Sequence, residues 1–373
     1  MEGFVERLFL EPWYAALKDP AGAQETVLKG LVKGYKETDY GRDHAVSEVS
    51  DIESFRERFP AVTYRGLRVY LEEVRRGNFR ALLSEAPSAW VMTRGSTGSP
   101  KVIPATKTHL EQIFRCGARA FLNFAVKHKD LDILQGGVLN LNFPSLVGTM
   151  FVADQGVAYG YSSGTYARLN PFLGEARLIP NQEKIDALPH SLSKEGWARR
   201  FELAYQEAKE EKIVTAMGVT PVIASFGRYI KRKHGVYPKD LWKMHALFCT
   251  SVPKIHVKYA PRLKALYGKV PIVEIYSATE GVYAQQLDEY PYVCPNYDAY
   301  LFEVVTGKGV KMLYEMKRGE WGRLIVSSCL FPRYDIGDMI ECTGKNYFRV
   351  FGRVKLRTLI EHRVWRLFTR WFI

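Results

Sequence analysis

Between Gly137 and Ile275 short apolar runs alternate with longer stretches of helical periodicity, and this alternation limits the fold more tightly than any other feature of the chain. Gly137 to Leu141, His245 to Cys249 and Val270 to Ile275 read as strands, while Val219 to Arg232 and Lys254 to Leu266 read as the helices among them. Strand and helix in turn predict an α/β fold with a largely parallel sheet and flanking helices. Upstream, Ala89 to Met92 reads as a short buried strand that enters a loop rich in Gly, Ser and Thr, and a helix follows from about Thr106 to Val126. Strand, loop, helix is an order that places backbone donors over a phosphate.

The flanks differ from this middle. Residues 1 to 75 read as helices, with Val5, Leu8, Phe9, Trp13 and Leu17 at helical spacing and Val27, Leu31 and Val32 opening a second stripe. After residue 282 the pieces become shorter and strand-like: Tyr283 to Leu287, Tyr300 to Val305, Arg323 to Val326 and Tyr347 to Phe351. The expected organisation is a core over residues 1–281 with a helical lead-in over 1–88, a small β-rich subdomain over 282–353, and an amphipathic helix over 354–373. In that last helix Ile360, Val364, Leu367, Phe368 and Trp371 share one face, and Arg363, Arg366 and Arg370 share another.

With 373 residues and 47% hydrophobic side chains the chain can bury a sizeable core, so disorder is not expected. Met1-Glu2-Gly3 is not a basic leader, and Asn140, Asn142 and Asp154 interrupt the longest apolar stretch well short of the roughly 18 to 20 residues a spanning helix needs. A soluble, cytoplasmic protein is expected. Cys116, Cys249, Cys294, Cys329 and Cys342 are scattered and odd in number, which fits neither a zinc ribbon nor a disulfide framework. The net charge of +13 suits nucleic acid, an acidic membrane surface or anionic substrates. The densest basic run, Lys231-Arg232-Lys233, reads as a solvated helix end, and no nucleic-acid module is visible.

Three motifs carry chemistry. The loop Thr93-Arg94-Gly95-Ser96-Thr97-Gly98-Ser99-Pro100-Lys101 offers glycines for close backbone approach, hydroxyls as donors to phosphate oxygens, and a lysine as a point charge. It is not a Walker A loop, because Ser99-Pro100 separates Lys101 from Gly98. Tyr276-Ser277-Ala278-Thr279-Glu280-Gly281 follows an apolar strand, where ligands of an α/β sheet bind. There Tyr276 suits a base, Thr279 a phosphate, and Glu280 the Mg2+ that accompanies ATP. Tyr334-Asp335-Ile336-Gly337-Asp338 precedes Gly352-Arg353; an ionised Asp338 suits two ribose hydroxyls, and Arg353 suits ribose or phosphate. Taken singly, the first reads better as a surface loop, Glu280 as a solvated strand end, and Asp338 as a turn residue.

In order and spacing, TRGSTGSPK, YSATEG, YDIGD and Gly352-Arg353 resemble the core motifs of the adenylate-forming superfamily over residues 85 to 355. The continuation Lys101-Val102-Ile103-Pro104, the helical lead-in, Gly218-Val219-Thr220-Pro221 and Cys249-Thr250-Ser251 are most similar to the GH3-type acyl-acid amido synthetases within it. The resemblance implies ATP-dependent activation of a small carboxylic acid to acyl-AMP with release of pyrophosphate, as the first step of ligation to an amino acid or amine. The alternatives are an acyl- or aryl-CoA ligase and a non-catalytic nucleotide-binding remnant.

The resemblance also implies roles. Lys101, Thr279 and Glu280 would be catalytic, with Glu280 placing Mg2+. Thr93, Gly95, Ser96, Thr97, Gly98, Thr250, Ser251, Tyr276, Ser277, Asp338 and Arg353 would bind the nucleotide, and Asn142, Phe143 and Pro221 the acid. After Gly352-Arg353 the family continues with an acidic hinge residue and a mobile C-terminal domain of about 100 residues. Here Val354 follows and the sequence ends at Ile373, so the mobile lid is expected to be absent or reduced. The helix over 354–373 is then expected to pack on its parent domain, with docking of a separate C-terminal polypeptide, and less so peripheral membrane contact, as further readings.

Overall fold

The structure, a computed structural model, describes residues 6–95, 100–171, 177–355 and 358–362. They group into two units, one of Met1–Pro12, Arg75–Gly77 and Glu85–Pro291, the other of Trp13–Val74, Asn78–Ser84 and Tyr292–Ile373.

The strands of the first unit are β1 (Ala89–Met92), β2 (Val102–Ala105), β3 (Gly137–Leu139), β4 (Gly148–Val152), β5 (Gln155–Tyr161), β6 (Leu178–Ile179), β7 (Ile213–Val219), β8 (Ala246–Thr250), β9 (Ile272–Ala278) and β10 (Gly281–Gln286). They pair in the orders β10-β9-β8-β7-β3-β6 and β2-β1-β5-β4. From β6 to β9 every pairing is parallel, and only β10 runs against its neighbour β9. The parallel α/β sheet expected from the sequence is therefore present. A strand such as β8 reads as one apolar run because both its faces are covered. Phe248 packs against Phe121 and Phe124 of the helix Lys107–His128, with ring centroids 5.3 and 6.0 Å away. Leu247 and Cys249 point the other way, into a cluster with Phe226, Leu263 and Tyr267. Each of the fully buried members of that cluster, such as Phe226 and Leu263, stabilises the unit by about 1.5–3 kcal/mol.

The helix Thr220–His234 is bounded by its own residues: Pro221 sits in the first turn and Gly235, at φ 77°, takes the left-handed conformation that ends it. Lys231, Arg232, Lys233 and His234 fill its last turn, where cations offset the exposed carbonyl dipoles, and Lys233 pairs with Glu202 at 2.9 Å. The densest basic run is thus a helix end, as read from the sequence.

One expected order changes. The loop after β1 does not lead into a helix but back along a hairpin, because Val102 to Ala105 form β2 antiparallel to β1, with Met92 opposite Val102 and Ala89 opposite Ala105. The β-branched Val102 and Ile103 favour that extended path. The helix begins only at Lys107, its first turn capped by Thr106, whose hydroxyl accepts from the His109 amide at 3.3 Å.

The second unit holds β11 (Val293–Pro295), β12 (Leu301–Thr306), β13 (Gly309–Met312), β14 (Trp321–Ser327), β15 (Tyr334–Gly344) and β16 (Tyr347–Arg353), paired in the order β13-β12-β14-β15-β16-β11 and antiparallel throughout. The sequence places the helical lead-in with the core, whereas most of it, from Trp13 to Val74, groups with these strands. Side chains of the lead-in satisfy main-chain atoms of the C-terminal half. The Gln24 amide donates to the carbonyls of Tyr297 and Tyr300 at 2.8 and 2.7 Å, and its oxygen accepts from the Phe302 amide at 2.8 Å. Trp13 donates to the Pro295 carbonyl at 3.0 Å and the Tyr35 hydroxyl to the Ser328 carbonyl at 2.6 Å. Of the expected C-terminal helix, residues 358–362 are helical; Arg363, Val364, Arg366, Leu367, Phe368, Arg370 and Trp371 lie outside the described residues, as does Val5 near the start. Among the described residues no helix is long and apolar enough to cross a membrane.

A buried charge cluster ties the second unit together. Glu303 on β12 accepts from Arg333 Nε at 2.9 Å and from Arg56 Nε at 2.8 Å, and Arg333 also donates to the carbonyls of Arg56 and Phe59. Glu303 and Arg333 are 1% and 5% exposed. Removing one partner strands buried charge, so Glu303→Ala is expected to lower the unfolding free energy by about 3–5 kcal/mol in urea titrations. Glu53→Ala, which removes only the exposed partner of Arg56, is expected to cost less than about 1 kcal/mol.

Candidate active site

Parallel strands bring their C-terminal ends to one edge of the sheet, and the residues that leave β7, β8 and β9 meet there. Thr220, just beyond β7, donates its hydroxyl to the Thr250 carbonyl at 2.8 Å. Thr250 Oγ1 lies 2.8 Å from Ser277 Oγ, so two residues assigned to the nucleotide on separate motifs are hydrogen-bonded partners. Ser251 follows at φ 76°, turning the chain away from the strand. Pro221 occupies the first turn of the helix that starts at Thr220. Tyr276 and Ser277 project to opposite faces of β9. The ring of Tyr276 is buried 5.7 Å from that of Tyr283, so the two assigned nucleotide residues stand on different sides of the strand.

β9 and β10 are joined by a two-residue turn: Ala278 pairs with Gly281, leaving Thr279 and Glu280 at the tip. Both are largely buried, at 9% and 7% exposure. The Thr279 hydroxyl donates to Ser162 Oγ at 3.1 Å, and the Thr279 carbonyl accepts from the Tyr166 hydroxyl at 2.6 Å. Tyr166 in turn lies 3.0 Å from His109 Nε2. Ser162, Tyr166 and His109 belong to no motif, and sequence reading missed them.

The phosphate-type loop is closed at its base by Thr93, whose amide donates to the Lys101 carbonyl at 2.8 Å while its hydroxyl accepts from the Lys101 amide at 2.9 Å. Gly95 takes a φ of 66°, which its missing Cβ permits. Ser96, Thr97 and Gly98 lie outside the described residues. Arg94 places its guanidinium 5.8 Å from the Phe143 ring, and Arg200 sits 5.9 Å from the same ring and 4.0 Å over Trp197. Burial lowers both guanidinium pKa values, and among the described residues neither faces a carboxylate. Two cations thus flank one aromatic wall.

Phe143 is held by a close backbone approach. A Cβ at Gly164 would overlap the Phe143 carbonyl, and one at Gly160 would overlap that of Ser145. The Phe143 amide donates to Ser163 Oγ at 3.2 Å, and the Tyr161 amide donates to the Pro144 carbonyl at 3.0 Å. Asn142 is fixed through its amide, which donates to Asn140 Oδ1 at 3.0 Å.

In the second unit Asp338 and Arg353 face each other across β15 and β16 and form an ion pair of 2.6 Å. Arg353 also donates to the Ile336 carbonyl at 2.8 Å, beside Gly337, which takes a φ of 77° within β15. The two residues that the YDIGD and Gly-Arg motifs assign to one nucleotide are therefore direct partners.

The description of the GH3 family N-terminal domain matches residues 10–195 of this chain. The chain belongs to the GH3 family. It is 32% identical over 91 residues to the indole-3-acetic acid-amido synthetase GH3.15 of Arabidopsis thaliana, and 24% identical over 164 residues to the jasmonoyl-L-amino acid synthetase JAR4 of Nicotiana attenuata. The matched segments take in 24% and 43% of this chain but 15% and 27% of those relatives. In fold it is similar to the AtGH3.15 acyl acid amido synthetase solved with 2,4-DB, at a TM-score of 0.73 and 15% identity over 95% of this chain and 70% of that one. A 2-hydroxyisobutyryl-CoA ligase in its postadenylation state is also similar, at a TM-score of 0.60 and 16% identity over 94% of this chain and 70% of that one.

This GH3 chain also buries an acid inside its sheet. Glu274 on β9 has its pKa pushed up to about 8 by desolvation, and the His256 ring, 3.6 Å away, is pulled down chiefly by burial. Between roughly pH 6.5 and 8 the folded state keeps the Glu274 proton that the unfolded chain has already lost, so stability falls as pH rises, by up to about 1.4 kcal/mol per pH unit. His256 acts in the opposite sense only below its ordinary pKa of about 6.5. Urea titrations across this window are expected to show the decline in the wild type and a nearly flat profile in Glu274→Gln.

Proposed function

We propose that this chain activates a carboxylic acid as its acyl-AMP. The observation that carries the reading is the meeting of the Thr250–Ser277 hydroxyl pair with the Thr279–Glu280 turn at the carboxyl ends of parallel strands, in a chain of the GH3 family. ATP is a substrate of the reaction. A carboxylate oxygen of the acid attacks the α-phosphorus, the bond from that phosphorus to the bridging oxygen breaks, and pyrophosphate leaves. No protein nucleophile is needed, so the residues act by position and charge.

Lys101, at the base of its loop, supports the leaving phosphates together with Thr93, Gly95, Ser96, Thr97 and Gly98. Thr250, Ser251 and Ser277 receive the nucleoside, Tyr276 backs them from the opposite face of β9, and Thr279 offsets charge on the transferred group. Among the described residues no group of three His, Cys, Asp or Glu side chains is placed to hold a metal. Magnesium is an ion held by one or two carboxylates, with substrate phosphates and waters supplying its other ligands. Glu280 is the carboxylate we assign to it. When bound, magnesium neutralises phosphate charge that would repel the attacking acid.

Asn142, Phe143 and Pro221 form the wall for the acid, and the field of Arg94 and Arg200 favours an anionic substrate there. An amino acid or other amine is the proposed acceptor, in line with the amido synthetases this chain resembles. The free cysteines fit a reducing cytoplasm.

The test is carboxylate-dependent exchange of labelled pyrophosphate into ATP, with panels of aryl, indolyl and fatty acids. One acid class is expected to support exchange, and Glu280→Ala to slow it by about 10²–10³-fold. Binding of Mg·ATP without exchange for any acid would overturn the proposal in favour of a nucleotide-binding role.

A further inference from the structure

The geometry points to His109 and Tyr166 as positioning residues that fix the peptide plane of the Thr279–Glu280 turn and so aim the Glu280 carboxylate. This inference rests on the adenylation reading. His109 is wholly buried in the first turn of the helix Lys107–His128, and Tyr166 lies in the helix Ser162–Leu169. The Tyr166 hydroxyl has one proton, and at 2.6 Å it gives that proton to the Thr279 carbonyl. Towards His109, 3.0 Å away, the same oxygen can only accept, so the imidazole carries its hydrogen on Nε2. His109 Nδ1 is then the bare nitrogen, and it is buried without a hydrogen-bond partner among the described residues. Desolvation takes the ring down to about 3, so it is a neutral donor at physiological pH and adds no charge beside the phosphate site.

The chain of donors runs His109 to Tyr166 to the Thr279 carbonyl. Because the peptide is planar and trans, fixing that carbonyl directs the Glu280 amide to the opposite side and fixes the N–Cα axis about which the Glu280 side chain leaves the turn, while the pairing of Gly281 with Ala278 limits rotation about it. The helix carrying Tyr166 also holds the Thr279 side chain, through Ser162 Oγ at 3.1 Å. Main chain and side chain of one turn residue are thus pinned from a single neighbouring helix. Apolar packing of the same shape can replace a neutral buried hydrogen-bonded chain at nearly no cost in stability, so its end on this turn is more simply explained by orientation.

Tyr166→Phe keeps the ring and deletes only the hydroxyl. In the pyrophosphate-exchange assay we expect its kcat to fall about 10- to 100-fold with KM for ATP within about threefold, since small misplacements of reacting groups act on rate, while the thermal midpoint falls by only a few degrees for the buried hydrogen bonds lost. His109→Gln can still donate an amide hydrogen to Tyr166 and is expected to recover most of the rate that His109→Ala loses. Unchanged kcat in Tyr166→Phe, or His109→Gln as slow as His109→Ala, overturns the inference. A wild type that exchanges with no acid counts against adenylation, and amide hydrogen exchange then decides the positioning separately. Faster exchange at residues 277–282 in Tyr166→Phe supports the anchoring, and identical exchange contradicts it.

Discussion

A reversal of chain direction within two residues is the constraint from which the candidate site follows. β9 runs parallel to β8 and must leave the sheet at the same edge, yet β10 returns at once, antiparallel to β9. Thr279 and Glu280 have to make that return. A turn so short offers little slack for reorienting its peptide, and every group it carries is placed by the strands on either side and by the helix Ser162–Leu169 behind it. A carboxylate at such a tip is presented by a rigid scaffold rather than by a mobile loop.

How far the sequence foretold this depends on whether the information is local. β8, β9 and the helices Lys107–His128 and Thr220–His234 were legible because burial, caps and breakers all lie within a few residues of one another. The motifs Tyr276 to Gly281 and Thr93 to Lys101 were legible as motifs, although the hairpin that carries the second was not. Val102 to Ala105 is a run of four, includes Pro104, and stands directly before a strong helix, so its periodicity offers no clear strand. The grouping of the helical lead-in with the C-terminal strands was invisible for a different reason. Gln24, Trp13 and Tyr35 bond to main-chain carbonyls far along the chain, and no side-chain pattern marks a carbonyl.

The residues that support the site were beyond sequence reading on the same grounds. His109 and Tyr166 are ordinary members of amphipathic helices until the fold sets them beside Thr279. Arg94 and Arg200 come from a loop and a helix, and only the ring of Phe143 relates them. Gly160 and Gly164 matter because the Ser145 and Phe143 carbonyls occupy the space a Cβ would need. In each case a residue type was visible, while the neighbour that gives it a role was supplied by tertiary packing. The wall around Phe143 and the turn are thus products of the whole first unit, although the residues proposed to contact phosphate sit in short contiguous motifs.

We propose that a nucleotide binds at the carboxyl ends of β7, β8 and β9. A crystal structure of the chain with Mg·ATP tests it most directly. The nucleoside is expected beside Thr250 and Ser277, the phosphates beside Lys101, and the metal on Glu280. A nucleotide bound elsewhere, for example on the basic helix end at Lys231 to Lys233, would contradict it.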